Sequence, residues 1–437
     1  MDRGFKLKDG MKIGAASAAS QIEGAGVEHT WTAWADRGAI KDGSDPRRAN
    51  DHYRRWKEDA DLMGSLGFTI VRLGVEWARI EPEPGVFRED VLDHYREETA
   101  LLRSYGLEPL VTLHHFAEPL WFARRGGFER PENLPLFLEF AEKTVRALGS
   151  AVDEYVTINE PNVYAFFGYV TGEWPPGERS FARALRVMSI LAGAHILAYE
   201  LIHRVRKEMG LSGTKVGAAI HARVFEPLNR ANPAHRFFAW FNDRCFQDAI
   251  SRALFTGRFA WPFSRPAGTR LPAGSRFSDF IGLNYYTRSA VSGPENSTFP
   301  HVPVNDLGWE IYPQGIVHCA ERLRRLAPLP VYITENGTCD GTDSFRSRYI
   351  YDHLKALCES AVPVERYYHW CFCDNFEWLE GESARFGLVH VDYPSQKRSV
   401  KKSGRFLSAV SRAGGVDEGL YGDYVAGEEY PTAPAGR

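Results

Sequence analysis

Eight short apolar runs that alternate with helical patterns are the feature that most restricts the fold of this chain. The runs are rich in β-branched and aromatic residues, which favour strands. They lie at 12–20, 68–77, 107–116, 155–160, 215–225, 279–287, 331–336 and 364–374. Because strands that alternate with helices pair in parallel, we predict an α/β fold, a single-domain (β/α)8 TIM barrel with elaborated loops at its C-terminal face.

The domain organisation follows from length and composition. A chain of 437 residues would allow about three domains by length alone, but a barrel with insertions can hold that length in one unit. No shift in composition marks a boundary before the last predicted helix, at 401–412. Residues 413–437 are rich in glycine, proline and acidic residues. We therefore predict a barrel domain over 1–412 and a mobile C-terminal tail over 413–437.

The charge and the cysteines of the chain argue against several kinds of partner. A net charge of −3 and a pI near 6.6 give no reason to expect nucleic acid or an anionic membrane as partner. The N-terminal residues contain no apolar run of secretory length, and no segment reaches 18 uninterrupted apolar residues, so we expect a cytoplasmic protein. The six cysteines lack the paired spacing of a zinc site, and we expect neither a metal nor another cofactor. Nothing in the sequence predicts an oligomeric state.

Two of the predicted strands end in a glutamate. Glu160 closes the fourth strand and Glu335 the seventh. Either acid alone could be a turn residue or an ion-pair partner, but the repetition favours a pair of carboxyl groups. In a barrel the loops at the carboxyl ends of the strands form the active site, so the two acids would face each other across one opening. The other polar or aromatic residues at or beyond strand ends are Gln21, Arg72, His115, Asn284, Tyr286, Trp370 and Glu377.

A facing pair of carboxyl groups is suited to the hydrolysis of an acetal. One group must be protonated to donate to the leaving oxygen, and the other must be ionised to attack the sugar carbon. Arg72, if it reaches Glu335, would hold that group ionised, and Tyr286 could donate a hydrogen bond to it. Glu160, against apolar neighbours and a neighbouring negative charge, would have a raised pKa. Arg72 could instead belong to a core ion pair.

Two other classes of function remain as alternatives. A non-catalytic carbohydrate-binding protein on the same barrel would keep the aromatic residues but would lose a catalytic glutamate, and this chain has both. A metal-dependent barrel hydrolase could use His114, His115 and Glu160. Adjacent residues of a strand point to opposite faces, however, so the two histidines cannot both line one site.

The segments around the two glutamates resemble the signatures of a known family. TINEP at 157–161 and ITENG at 333–337 are similar to the two signatures of glycoside hydrolase family 1, the β-glucosidase family. Further similar segments, in the same order, are QIEG at 21–24, GLNYY at 282–286, GWEIYP at 308–313 and FGLVHVDY at 386–393. The resemblance covers nearly the whole chain, and it implies two-step, retaining hydrolysis of small β-glycosides.

The resemblance also implies a role for individual residues. It makes Glu160 the acid/base and Glu335 the nucleophile, and it implies that Asn159 binds the 2-hydroxyl of the sugar and that Trp309 contacts the leaving group. The residues that it implies hold the other hydroxyl groups or stack on the sugar are Gln21, His115, Glu377, Trp378 and Trp370. Outside this context, each tryptophan would be read as a core residue and Gln21 as a turn residue.

The sequence departs from the family pattern in ways that bear on the substrate. Phe116 stands where many members have Trp, and Arg72 is followed by Leu-Gly rather than Phe-Ser. Members that act on 6-phosphorylated sugars usually carry a Ser, a Lys and a Tyr across the region in which this chain has Glu377 and Phe386. Because a carboxylate repels a phosphate dianion, we expect an unphosphorylated glycone, with a 6-phospho-β-glycosidase as the alternative. Glucose is the favoured glycone, with galactose and fucose as further candidates, and the aglycone loops carry no readable specificity.

Overall fold

Eight parallel strands close into a barrel in the computed structural model, which describes residues 3–434. The strands are β1 (Lys12–Ala16), β2 (Ile70–Gly74), β3 (Glu108–His114), β4 (Glu154–Asn159), β5 (Lys215–His221), β6 (Ile281–Asn284), β7 (Val331–Asn336) and β8 (Val364–Trp370). They pair in chain order, and β8 pairs with β1 to close the ring. The predicted (β/α)8 fold is therefore confirmed.

A ring of helices covers the outside of the barrel, and one long helix follows each strand. These helices are α1 (His52–Ser65), α2 (Glu89–Ser104), α3 (Leu134–Leu148), α4 (Phe181–Glu208), α5 (Pro233–Asp243), α6 (Gln314–Leu326), α7 (Arg346–Glu359) and α8 (Lys402–Ala413). After α5 the chain forms a π turn, Arg244–Asp248, and a further helix, Ala249–Thr256. A last short helix, Glu418–Tyr424, follows α8.

The loops at the carboxyl ends of the strands are long and contain elements of their own. Their short helices are Ala19–Ile22, Thr30–Ala35, Trp77–Ile80, Leu120–Arg124, Pro161–Phe166 and Trp378–Glu380. Their short strands are Val224–Pro227, Arg288–Val291, Asn296–Ser297, Val389–Asp392 and Lys397–Val400. The predicted elaboration of this face is confirmed.

Side chains fill the lower part of the barrel. Tyr332 points into the barrel and stacks on Phe280, with 4.2 Å between ring centroids. Below this pair, Glu154 accepts hydrogen bonds from Arg366 at 2.6 Å and from Tyr332 at 3.2 Å. This packed layer is the floor on which the residues at the upper ends of the strands are held.

Helix α4 is long and apolar enough to cross a membrane by length and composition alone. Within the protein, 72% of its apolar window is buried, and the helix packs against α3, β4 and β5. Its composition is thus accounted for by packing in the outer layer of the barrel.

The chain after α8 packs on the barrel, which differs from the predicted mobile tail at 413–437. Gly415–Val416 pairs with Phe5–Lys6 as a two-stranded antiparallel sheet. Further along, Glu428 accepts a hydrogen bond from Lys402 at 3.0 Å. The boundary at residue 412 is therefore wrong, because pairing with the N-terminus and ion pairs hold the chain after it. The last three residues of the predicted tail lie outside the described residues.

Candidate active site

A cavity of about 590 Å³ lies at the C-terminal face of the barrel, where enzymes of this fold carry their active sites. Of the twelve predicted site residues, the eight that line it are His115, Glu160, Tyr286, Trp309, Glu335, Trp370, Glu377 and Trp378. The other four, fully buried, are Gln21, Arg72, Asn159 and Asn284. Hydrogen bonds join each of these four to one of the lining residues.

Glu160 and Glu335 both reach the cavity because their strands lose regular register just before them. In β4 the pairing with β5 shifts between Val156 and Asn159, and in β7 the pairing with β6 shifts between Ile333 and Glu335. Strict alternation from Tyr332, which points into the barrel, would place Glu335 on the outer face. The shift turns the carboxyl group toward the cavity instead.

Glu160 also has an unusual backbone conformation. Its φ of 42° and ψ of 59° lie in the left-handed region, and Pro161 then begins a short helix. A residue other than glycine costs of order 1–3 kcal/mol in a strained conformation of this kind, which persists only where the surroundings hold it. Here the Glu160 N–H donates to the carbonyl of Ala219 at 2.8 Å, so β5 fixes the start of the turn.

Glu335 is held by two donors, as predicted. The Arg72 guanidinium donates to Oε1, and Tyr286 Oη donates to Oε2 at 2.5 Å. Arg72 also donates to Asn159 Oδ1 at 2.6 Å and to Thr112 Oγ1 at 3.1 Å. The arginine is thus a buried ion-pair partner and at the same time a direct contact of the cavity acid, so both interpretations of Arg72 hold.

Within the described part of the chain, the hydrogen bonds to the Glu160 carboxyl group come from neutral groups and reach one of its oxygens. Asn284 Nδ2 donates to Oε1 at 2.8 Å, and His221 Nδ1 lies 3.3 Å from the same oxygen. The Arg223 guanidinium donates to His221 Nε2 at 2.9 Å, which leaves the imidazole proton on Nδ1, facing Glu160. Since Oε1 receives both donors, Oε2 is the oxygen that remains to carry a proton.

Burial raises the pKa of both carboxyl groups to about 7. For Glu335 the Arg72 charge opposes burial and the Glu160 charge adds to it, so the pKa is raised where the sequence led us to expect an ionised group held by arginine. The expectation was wrong for Glu335 because desolvation of its carboxylate raises the pKa more than Arg72 lowers it. The two groups still differ, because only Glu335 has a charged donor. The pair therefore loses its first proton from Glu335, and Glu160 keeps the second.

Two unpaired polar atoms of buried side chains lie beside the cavity. Asn159 Nδ2 donates to His115 Nε2 at 3.0 Å, so the proton of this imidazole is on Nδ1, which has no acceptor within residues 3–434. Burial, with the Arg72 charge, lowers the pKa of His115 well below its ordinary value and keeps it neutral. Gln21 Nε2 donates to Glu377 Oε2 at 3.2 Å, and its Oε1 has no partner in the described chain. One free donor and one free acceptor suit the hydroxyl groups of a sugar.

Asn159 connects the residues around it. Its Oδ1 accepts from Arg72 and, at 3.0 Å, from Asn284, while its Nδ2 donates to His115. One amide N–H is left over, so a contact with a sugar hydroxyl stays a prediction. What the structure adds is that this one side chain links the surroundings of both glutamates.

Aromatic rings form the walls of the cavity. The imidazole of His115 stacks on Trp370 and Trp378, with centroid distances of 5.7 and 5.9 Å. Gly337 lets the end of β7 approach β8, since a Cβ at this position would lie 1.8 Å from the carbonyl oxygen of Trp370. Trp309 differs from these, because it is 37% exposed at the mouth.

Glu377 is a further carboxyl group of the cavity. Burial raises its pKa to about 8, and the charge of Glu335 adds to the effect, while hydrogen bonds from Trp370 and Gln21 oppose it. Phe386 lines the same part of the wall. The charge of Glu160 also raises the pKa of Glu377, so both proposed catalytic acids disfavour its ionisation.

Fourteen further residues line the cavity and were not predicted as site residues, among them Phe167, Trp174, His221 and Arg223. His221 was missed because the fifth strand was predicted to run to residue 225, whereas β5 ends at His221, which puts this residue at a strand end. His114, by contrast, points away from the cavity, with its ring 5.6 Å from that of Tyr164 and 5.0 Å from that of Phe128. The two adjacent histidines do not line one site, as predicted.

Comparison with known proteins agrees with this geometry. The chain matches the model of Glycosyl hydrolase family 1 over residues 5–416. Beta-glucosidase A of Thermotoga maritima is 32% identical, over 94% of this chain and 99% of that protein. A β-glycosidase structure from Pyrococcus horikoshii has a TM-score of 0.87 at 34% identity, covering 97% of this chain and 98% of that one. A β-glucosidase of T. maritima in complex with glucoimidazole has a TM-score of 0.85 at 30% identity, covering 94% and 100%.

The barrel and its carboxyl pair define a glycoside hydrolase. The chain belongs to glycosyl hydrolase family 1. The resemblance seen in the sequence is therefore confirmed, and so is the prediction of an enzyme of the β-glucosidase type that acts on a small glycoside.

Proposed function

We propose that this enzyme is a retaining β-glycosidase that hydrolyses the non-reducing terminal β-D-glycosidic bond of small, unphosphorylated glycosides. β-Glucosides are the proposed main substrates, with β-galactosides and β-fucosides as further ones. The observation that carries the proposal is that Glu160 and Glu335 line the same cavity and differ in their hydrogen-bond donors. Glu335 accepts from the charged Arg72, whereas Glu160 accepts from the neutral Asn284. Relatives named β-glucosidases, at about 30% identity, support glucose as the glycone.

In the first step Glu335 attacks the anomeric carbon and forms a glycosyl ester, while Glu160 donates its proton to the leaving oxygen. The contacts support these roles. The charged Arg72 stabilises Glu335 as a carboxylate, and Oε2 of Glu160 is free to hold the proton that is transferred. The electron pair of the broken C–O bond leaves with the aglycone, which departs as an alcohol.

In the second step Glu160, now ionised, takes a proton from a water molecule, and the resulting hydroxide attacks the same carbon. The ester bond breaks, its electron pair returns to Glu335, and Glu160 is protonated again. The pKa of about 7 suits this change of role, because a group that donates and accepts near neutral pH works best with such a value. The donors Asn284 and His221 support the ionised state between the steps.

The residues at the inner end of the cavity favour an unphosphorylated glycone as substrate. His115 Nδ1–H and Gln21 Oε1 are free to bind hydroxyl groups, and Glu377 stands beside them. Glu377 and Phe386 line the wall without a cation paired to them in the described chain, so a phosphate dianion would meet a carboxyl group and a ring. Cytoplasmic location and the absence of nucleic acid and membrane partners stay predictions.

A panel of nitrophenyl β-glycosides, with proton NMR of the anomer formed first, tests the proposal. We expect hydrolysis of the glucoside with release of β-glucose, and slower or comparable hydrolysis of the galactoside and fucoside. Release of α-glucose would contradict the two-step mechanism. Preference for the 6-phosphoglucoside would contradict the assigned glycone, and binding of glucosides without hydrolysis would point to the non-catalytic alternative.

A further inference from the structure

Arg223 is a cation of the cavity wall that has no counter-ion. It is half-buried and lines the cavity beside His221, and it makes no ion pair within residues 3–434. Its Nε and Nη2 donate to His221 Nε2 at 3.2 and 2.9 Å, and Nη1 is 3.4 Å from Ser289 Oγ. A guanidinium has five N–H donors, so two of them have no acceptor in the described chain.

The lack of a counter-ion has an energetic cost. Desolvation lowers the pKa of Arg223 to about 10, since burial disfavours the charged form. Arg288, on a neighbouring strand, differs from Arg223 in that two counter-ions, Glu226 and Glu310, compensate its charge. A desolvated arginine that faces a cavity without such partners is suited to an anion supplied by a ligand.

The position of Arg223 places that anion on the side of the leaving group. His221 lies between Arg223 and Glu160, the proposed proton donor to the leaving oxygen. The residues with free groups for the sugar, Gln21 and His115, come instead from the loop after β1 and the end of β3. Arg223 thus belongs to the part of the cavity that receives the aglycone.

The walls of this part are aromatic. Phe167 and Trp174 stack with 4.9 Å between centroids, and both line the cavity together with Trp309. Flat rings at the walls favour a flat aglycone. One imidazole ring and two hydrogen bonds separate the guanidinium of Arg223 from the carboxyl group of Glu160, so an anion at Arg223 and the leaving oxygen at Glu160 belong to one small aglycone.

We propose that Arg223 forms an aglycone subsite for a carboxylate, so that β-glycosides of aromatic hydroxy acids are preferred substrates. This inference rests on the proposed function and narrows its substrate class. The planar fork of a guanidinium matches the two oxygens of a carboxylate. The other charged residues that line the cavity are five glutamates and Lys41, and Lys41 is already paired with Glu380, so the subsite also fixes the orientation of the aglycone.

Paired substrates of equal shape test the subsite. The 3- and 4-carboxyphenyl β-D-glucosides are compared with the matching carbamoylphenyl glucosides, which are neutral. The ratio of kcat/KM for the anionic over the neutral member of each pair is then measured in wild type and in Arg223→Gln. We expect the ratio to fall at least about tenfold for one or both positions, the loss typical of a charge-assisted hydrogen bond. Arg223→Lys, which keeps the charge but not the fork, should give an intermediate ratio.

The double comparison separates the subsite from other effects of the substitution. A difference in leaving group between the two members of a pair is the same in wild type and in the variant, so it cancels when their ratios are compared. An effect of Arg223 on Glu160 through His221 acts on both members of a pair, so it cancels within each ratio. Lys41→Gln is the matched control, because Lys41 also lines the cavity but forms an ion pair with Glu380. Its ratio should equal that of wild type.

Three outcomes would overturn the subsite. They are an unchanged ratio in Arg223→Gln, a fall in kcat of both substrates with only a shifted pH profile, and an equal fall of the ratio in Lys41→Gln. If Arg223→Gln does not fold, calorimetric binding of 3- or 4-hydroxybenzoate to wild type, compared with binding of the matching amide, replaces it, and equal affinities contradict the subsite. Failure of wild type on 4-nitrophenyl β-D-glucoside would refute the proposed function separately, because the binding measurement needs no turnover.

Discussion

The two ends of the cavity are built differently. At the inner end, side chains hold one another: Arg72 binds Glu335 and Asn159, Asn159 binds His115, and Gln21 binds Glu377. At the outer end, Trp309 is partly exposed and Arg223 makes no ion pair with any residue of the described chain. The inner groups are therefore oriented before a substrate arrives, which favours catalysis, whereas the outer groups have unused binding capacity.

This contrast implies a division of function between the ends. Changes at the inner end should lower turnover of every substrate by a similar factor. Changes at the outer end should alter the preference among aglycones. The following substitutions test that division, beginning with the largest expected effect.

Replacement of the nucleophile should have the largest effect. Glu335→Ala removes the group that forms the covalent bond, and we expect kcat to fall at least about 10⁴-fold for every aryl glucoside. Steady-state kinetics on phenyl, 4-nitrophenyl and 2,4-dinitrophenyl glucosides measures the loss, and a thermal melt shows that the variant is folded. Retention of more than a small percentage of the activity on any of these substrates would assign the nucleophile elsewhere.

Replacement of the acid/base should give a loss that depends on the leaving group. Glu160→Ala should lower kcat/KM by about 10²–10⁴-fold for phenyl glucoside and far less for 2,4-dinitrophenyl glucoside, which needs little protonation. External azide should restore part of the turnover, since it replaces the water that Glu160 activates.

The pH profile gives an independent test of the same residue. Glu160 must be protonated in the first step, and its pKa is raised to about 7, so the wild-type rate should fall as pH rises through this value. The alkaline fall should disappear in Glu160→Ala. Equal losses with good and poor leaving groups, or an unchanged alkaline limb, would contradict the role.

The sequence predicted most of the inner end and little of the outer end, for a physical reason. Glu160, Glu335 and Glu377 lie in segments whose residue types are fixed by the chemistry of the sugar, and all three line the cavity. Their inward orientation could not be predicted, because it depends on the register shifts in β4 and β7. Regular alternation, the only orientation rule that a sequence offers, gives the wrong face for Glu335.

Residues of the outer end lie in loops, where no periodicity indicates which side chain faces inward. Arg223 follows β5 by two residues, and Trp174 comes from the loop before α4. Their shared cavity exists only through packing of segments that are distant in sequence. The same holds for the chain after residue 412, whose anchor is the N-terminal strand Phe5–Lys6. A local pattern carries no information on such pairing.

Glu377→Gln should have a smaller catalytic effect than loss of either proposed catalytic glutamate. A weakened hydrogen bond to a sugar hydroxyl at this buried position should lower kcat/KM about 10–100-fold, by a similar factor for all aglycones. Kinetics on the glucosides named above measures this. A loss confined to the substrates with one kind of aglycone would contradict the proposed division of function between the two ends of the cavity.

The same substitution should change stability in a pH-dependent way. The folded pKa of Glu377, about 8, exceeds the ordinary value of 4.5, so the native state binds more protons between these pH values and loses stability as pH rises. Glu377→Gln removes this loss. We therefore expect the free energy of unfolding of the variant, relative to that of wild type, to increase by about 1–3 kcal/mol from pH 5 to pH 8. Water in the open cavity keeps this difference small. Glu97→Gln, on the exposed face of α2, controls for removal of one negative charge, and an equal gain there would refute the explanation.

The smallest expected effect is that of Trp309→Ala, and it tests the division most directly. Loss of one aromatic contact should raise KM for 4-nitrophenyl glucoside about 2–10-fold and leave methyl glucoside nearly unaffected, since only the first has a ring to contact. Trp309→Phe should retain most of the wild-type KM. The edge of Trp309 also lies against Tyr286, 6.0 Å between centroids, and Tyr286 holds Glu335. If kcat falls equally for both substrates, Trp309 acts through Tyr286 on the nucleophile, and the two ends of the cavity form one coupled unit.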